Sequence, residues 1–104
     1  MNFQLLNKAN RERMATTEAY NKCRDEWSIA DWSNALAGET GELCNWIKKI
    51  RRGDKIDLAE VGKELADIVI YADLLAEQLG LNLGECVRSK FNEVSDRVHS
   101  SVKI

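Results

Sequence analysis

Apolar residues recur at helical spacing in four successive stretches of the chain, each bounded by residues that start or stop helices. The first, from about Phe3 to Cys23, spaces Leu5 or Leu6, Ala9, Met14 and Tyr20 loosely at helical intervals and predicts one amphipathic helix. Periodicity is lost from Arg24 to Trp27, and Ser28 then offers an N-cap for a second helix over Ile29 to Arg52. Gly53 closes it, with Lys48, Lys49, Arg51 and Arg52 in the last turns, where cations suit the helix dipole. Its apolar stripe is Ile29, Trp32, Leu36, Leu43, Trp46, Ile47 and Ile50, and Glu39 falls inside that stripe.

Asp57 with Glu60 starts a third helix that runs to Leu79 and stops at Gly80. Its main stripe is Val61, Leu65, Ile68, Ala72, Leu75 and Leu79, but Ala66, Ile70 and Leu74 lie on other faces. A helix apolar on most sides is expected at the centre of the domain or of an oligomer. Asn82, with Glu85 at the third position, caps a fourth helix from about Leu83 to Val98. The connections Gly53 to Ile56 and Gly80 to Asn82 are short, which favours antiparallel neighbours. The expected fold is an all-α bundle.

Composition narrows the range of partners. With 104 residues, no proline and no linker-like segment, residues 1–104 read as a single domain. A domain this small has a poor surface-to-volume ratio, so self-association is a natural way to bury more apolar area. A net charge of −2 argues against binding a nucleic-acid polymer, which needs a basic face. The local basic groups Lys48, Lys49, Arg51 and Arg52, and again Lys90 and Arg97, match the scale of a phosphate group. No apolar run is long enough to span a bilayer and the N-terminal stretch lacks the features of a signal peptide, so a cytoplasmic location is expected. Cys23, Cys44 and Cys86 show no paired spacing and read as buried reduced thiols. His99 is the single histidine, which leaves little material for imidazole chemistry.

Two acidic pairs share one spacing: Glu39-x-x-Glu42 and Glu64-x-x-Asp67. Residues three apart on a helix share a side, so each pair presents its carboxylates in one direction. Either pair alone carries little weight, because ExxE is common on solvated helix faces. Glu39, however, has Trp32, Leu36, Leu43 and Trp46 as helical neighbours, and an unpaired carboxylate among them is costly. Something positive should meet it: a Lys or Arg from another helix, or a cation shared with the second pair.

If the second and third helices pack antiparallel, all four carboxylates converge without histidine or thiolate. An all-oxygen site suits Mg²⁺ or Mn²⁺, and Mg²⁺ bound through carboxylates points to a phosphorylated substrate. Di-iron bundles are the rival, but they draw on Glu-x-x-His. Fixed positive charge is available from Lys49, two turns beyond Glu42, and from Lys90 and Arg97 on the fourth helix, with Asn92 and Ser95 as further donors.

The ordered set Gly38-Glu39-x-Gly41-Glu42-Leu43, Ile47-Lys48-Lys49, Glu64-Leu65-Ala66-Asp67-Ile68 and Lys90-Phe91-Asn92 with Ser95 and Arg97 resembles the MazG-like family of all-α nucleoside triphosphate pyrophosphohydrolases. The resemblance covers about Leu36 to Arg97. It implies a four-helix MazG-like bundle, Mg²⁺ held by Glu39, Glu42, Glu64 and Asp67, with Mn²⁺ able to substitute, and a homodimer or homotetramer with sites near subunit interfaces. It also implies hydrolysis of nucleoside triphosphates to the monophosphate and pyrophosphate, with Lys49, Lys90, Asn92 and Arg97 as phosphate contacts. The chain departs from the family pattern at Asn45, where many relatives carry a further acidic residue.

The implied chemistry is metal-assisted attack of water at the α-phosphorus, with one of the four carboxylates as base. Trp27 and Trp32 precede the acidic pair and are candidates for stacking on a nucleobase, but Trp32 and Trp46 also fit the apolar stripe, where core packing is the favoured reading. Asn7, Asn10 and Arg11 are candidates for base-edge hydrogen bonds. A purine deoxynucleotide such as dGTP rests on family analogy alone. The alternative of a different class is a non-enzymatic helical interaction or regulatory module whose acidic pairs form ion pairs across an interface.

Overall fold

Four of the five helix starts in this protein are capped by a side chain, and the two longest helices end at a glycine. The computed structural model describes all of residues 1–104 as five helices and no strands: α1 (Phe3–Thr16), α2 (Glu18–Glu26), α3 (Ile29–Arg51), α4 (Leu58–Gln78) and α5 (Leu83–Arg97). Ser28 and Asp31 form a reciprocal capping box at the start of α3. The Asp57 carboxylate accepts from Ala59 N at α4, and the Asn82 side chain accepts from Glu85 N at α5. Past α3 and α4 the chain turns at Gly53 (φ 92°) and Gly80 (φ 69°), left-handed conformations that glycine adopts without steric cost.

One expected boundary is corrected. The predicted single helix from Phe3 to Cys23 is broken at Thr17, which is extended (φ −113°, ψ 123°), so the bundle has five helices in place of four. Thr16 and Thr17 are both β-branched and favour helix poorly. The break re-aims α2, whose Tyr20 and Cys23 pack against the core of Met14, Trp32 and Leu74, joined by Ile70, Tyr71 and Leu75.

α4 is the hub, touching α1, α3 and α5, and it carries Val61, Asp73, Leu74 and Ala76, four of the eight buried residues. α3 and α4 form a long antiparallel hairpin. The radius of gyration, 16.2 Å, exceeds the roughly 13 Å of a compact domain of this length. Much of the hairpin's apolar surface has no neighbour in the chain: Ile29, Ile47 and Ile50 on α3, and Leu58, Leu65 and Val69 on α4, are exposed. All three cysteines are free as expected, but Cys44 and Cys86 are exposed and only Cys23 is partly buried. No helix is long and apolar enough to cross a membrane.

Candidate metal centre

The antiparallel hairpin sets Glu39 of α3 beside Glu64 and Asp67 of α4. One carboxylate oxygen from each of these three residues lies within 4.8 Å of the others. Glu42, one turn along α3, stands outside that trio, near enough for its charge to act on Glu39. The Glu39 carboxyl is pushed above the ordinary carboxylate range, first by burial, then by the charges of Glu42, Asp67 and Glu64.

Glu64 is held from one side. Trp46 Nε1 donates to Glu64 Oε1 at 3.3 Å, while Glu64 Oε2 is buried without a hydrogen-bond partner. The Lys49 ammonium lies 4.6 Å from the centre of the Trp46 ring, which ties this basic side chain to the cluster through a shared neighbour. All seven ion pairs of the chain lie elsewhere, so no Lys or Arg neutralises Glu39, Glu42, Glu64 or Asp67. Of the two partners expected for Glu39, the side-chain cation is therefore not supplied within the chain.

The other candidate residues sit apart. α5 packs on α1 and α4 and makes no contact with α3. On it, Lys90 pairs with Glu93 at 2.6 Å, and Asn92 makes two 3.0 Å hydrogen bonds with the backbone of Ile104. Arg97 is exposed, and Ser95 is buried. Trp32, a base-stacking candidate, is a core residue at 1% exposure, and its ring meets Trp27 edge-on at 4.7 Å, which leaves no open face for a base. Asn7, Asn10 and Arg11 are engaged with the C-terminal half of α4. Asn45 is exposed on α3.

Tyr71 went unnoticed in the sequence, although its place four residues after Asp67 puts it on the same side of α4. Its hydroxyl is pushed above the usual tyrosine value by burial, then by Tyr20, Glu39, Cys23 and Asp67. Gly38 and Gly41 flank Glu39, and a Cβ at either would meet nothing within 4 Å. Each glycine costs the helix about 1 kcal/mol relative to alanine, and nothing inside the chain requires either.

The donor set fits a hard divalent cation: carboxylate oxygens only, one of them buried and unsatisfied, with no side-chain cation competing. Comparison with protein-family models, curated proteins and solved structures returned no match.

Proposed function

We propose that the chain is a divalent-metal-dependent nucleoside triphosphate pyrophosphohydrolase, and that its active site is built on the α3–α4 hairpin. The observation that carries this reading is the convergence of Glu39, Glu64 and Asp67 without a neutralising side chain. Mg²⁺, or Mn²⁺ in its place, would be held by that trio with Glu42 beside it. When bound, such a cation offsets phosphate charge and acidifies water.

The residues divide the remaining work. Glu42 lies outside the trio and is free to take the proton of the attacking water. A bond forms between the water oxygen and the α-phosphorus as the bond from the α-phosphorus to the α,β-bridging oxygen breaks, and its electron pair leaves on that oxygen with pyrophosphate. Lys49 is positioned from the Trp46 ring to neutralise the departing group. The resemblance alone suggests a purine deoxynucleotide such as dGTP.

Assembly completes the proposal. A homodimer or homotetramer would cover the exposed isoleucines and leucines of α3 and α4. It would also let Lys90, Asn92 and Arg97 of one copy approach the carboxylates of another. The bare backbone at Gly38 and Gly41 leaves room for such a close approach.

The test is product identification. Incubated with a mixture of common ribo- and deoxynucleoside triphosphates and Mg²⁺, the protein is expected to release nucleoside monophosphate and pyrophosphate. Diphosphate with inorganic phosphate would assign a different phosphohydrolase. No turnover, with none restored by Mn²⁺, would sink the enzymatic reading and favour the interaction module.

A further inference from the structure

A different face of α4 from the one bearing Glu64 and Asp67 carries a second acidic arrangement, inside a cavity. A space of about 700 Å³ opens where the start of α1, the end of α4 and the start of α5 meet. Asp73 lines it, although the residue is only 2% exposed. No Lys or Arg pairs with this buried carboxylate. It accepts from Asn10 Nδ2 at 2.9 Å and, at 3.5 Å to each oxygen, from Asn7 Nδ2. The same Asn7 amide donates to Glu77 Oε2 at 3.0 Å. Its two hydrogens thus face three carboxylate oxygens, one of which also accepts from Asn10.

The charges point the same way. Asp73 and Glu77 lie one turn apart on α4, a spacing at which like charges repel. The Arg11 guanidinium reaches Glu77 at 3.5 Å with a side chain 67% exposed, a surface pair that contributes little. At the rim, Arg88 faces Glu85 at 3.6 Å. The carbonyl end of α4 adds negative potential, set against the amino ends of α1 and α5 that open on the same space, so the case for a cation rests on the two carboxylates. Phe3, Leu83 and Val87 complete the lining with apolar surface.

We propose that this cavity is a second ligand site, taking a small organic cation of the alkylammonium or alkylguanidinium class. Its N–H donors meet Asp73 and Glu77 and its stem lies along Phe3, Leu83 and Val87. A bare metal ion fits less well. The space is that of a small-molecule pocket, part of its wall is apolar, and Asp73 already spends acceptor capacity on two asparagines. A buried carboxylate gains most from a ligand that brings both charge and directed donors.

Isothermal titration of the full chain at low ionic strength with agmatine, and separately with putrescine, tests this. Saturable binding at one site per chain is expected for at least one of them. Asp73→Asn, or Glu77→Gln should the buried change disturb the helix content, is expected to weaken it by at least about tenfold. Val87→Trp fills the cavity from α5 without touching the asparagines and is expected to weaken binding similarly. Glu39→Gln is expected to bind as the unaltered chain does, so the result is independent of the metal centre and of any nucleotide turnover. The absence of saturable binding, its survival in the cavity variants, or its loss in Glu39→Gln overturns the proposal.

Discussion

Asp67→Asn is expected to lower nucleotide turnover by about a hundredfold or more, the scale of losing a group that acts on charge in the transition state, while the helices remain formed. The argument rests on what the substitution leaves alone. Asparagine keeps the shape of aspartate, and Asp67 makes no ion pair or hydrogen bond that holds α4 to a neighbour. Removing its charge also relieves repulsion on Glu39. The folded chain should therefore be at least as stable, and the loss should appear in kcat with the helical circular dichroism unchanged. Glu39→Gln belongs with it. Glu42→Gln separates the roles, because a base outside the trio should lower kcat while metal binding persists. Full activity in both Asp67→Asn and Glu39→Gln means the carboxylates are not the site.

Mg²⁺ is expected to raise the melting temperature of the metal-free chain. A ligand that binds only the native state at a hundred times its dissociation constant adds about 2.7 kcal/mol, and in a domain of this size each kcal/mol moves the midpoint by roughly 4–8 °C. The sign of the pH dependence follows from Glu39. Its carboxyl is raised in the folded chain, so the native state holds that proton more tightly than the unfolded one. The cost of ionising Glu39 is felt in full above the raised value. It fades as pH falls through that value towards the ordinary 4.5. Metal-free protein should thus gain stability from this group on mild acidification, and Glu39→Gln should remove that gain. With Mg²⁺ present the trend reverses, because protons compete with the cation for the same oxygens. Thermal melts with Mg²⁺ and with chelator across this pH range decide it. Identical midpoints in both would favour carboxylates that await basic partners at an interface.

Helix starts were readable because capping is local chemistry. Ser28, Asp57 and Asn82 each sit beside the donors they satisfy, and Gly53 and Gly80 mark their ends by backbone geometry alone. The break at Thr17 was not readable. It follows from where Tyr20 and Cys23 find the core, a demand made by α3 and α4 from far along the chain. Spacing within each acidic pair was likewise legible, whereas the register that brings Glu39 against Asp67, and leaves Glu42 outside, is set by packing between two helices. Trp32 fitted the apolar stripe, and the interior claimed it. Lys90, Asn92 and Arg97 share one helix, but sequence does not say which neighbour that helix packs on, and α5 lies against α1 and α4. The buried Asp73 gave no signal because its partners are neutral amides more than sixty residues away.

The contact between Trp46 and Glu64 gives the molecule an optical readout of its own. The indole N–H is bonded to a carboxylate of the cluster and an ammonium lies over the ring, so the emission of this tryptophan responds to charge on either side. Trp32 is enclosed in the core with Trp27 against its edge. Intrinsic fluorescence therefore carries a component from Trp46 that reports on the carboxylates and can be followed in real time, without a label, in the unaltered chain.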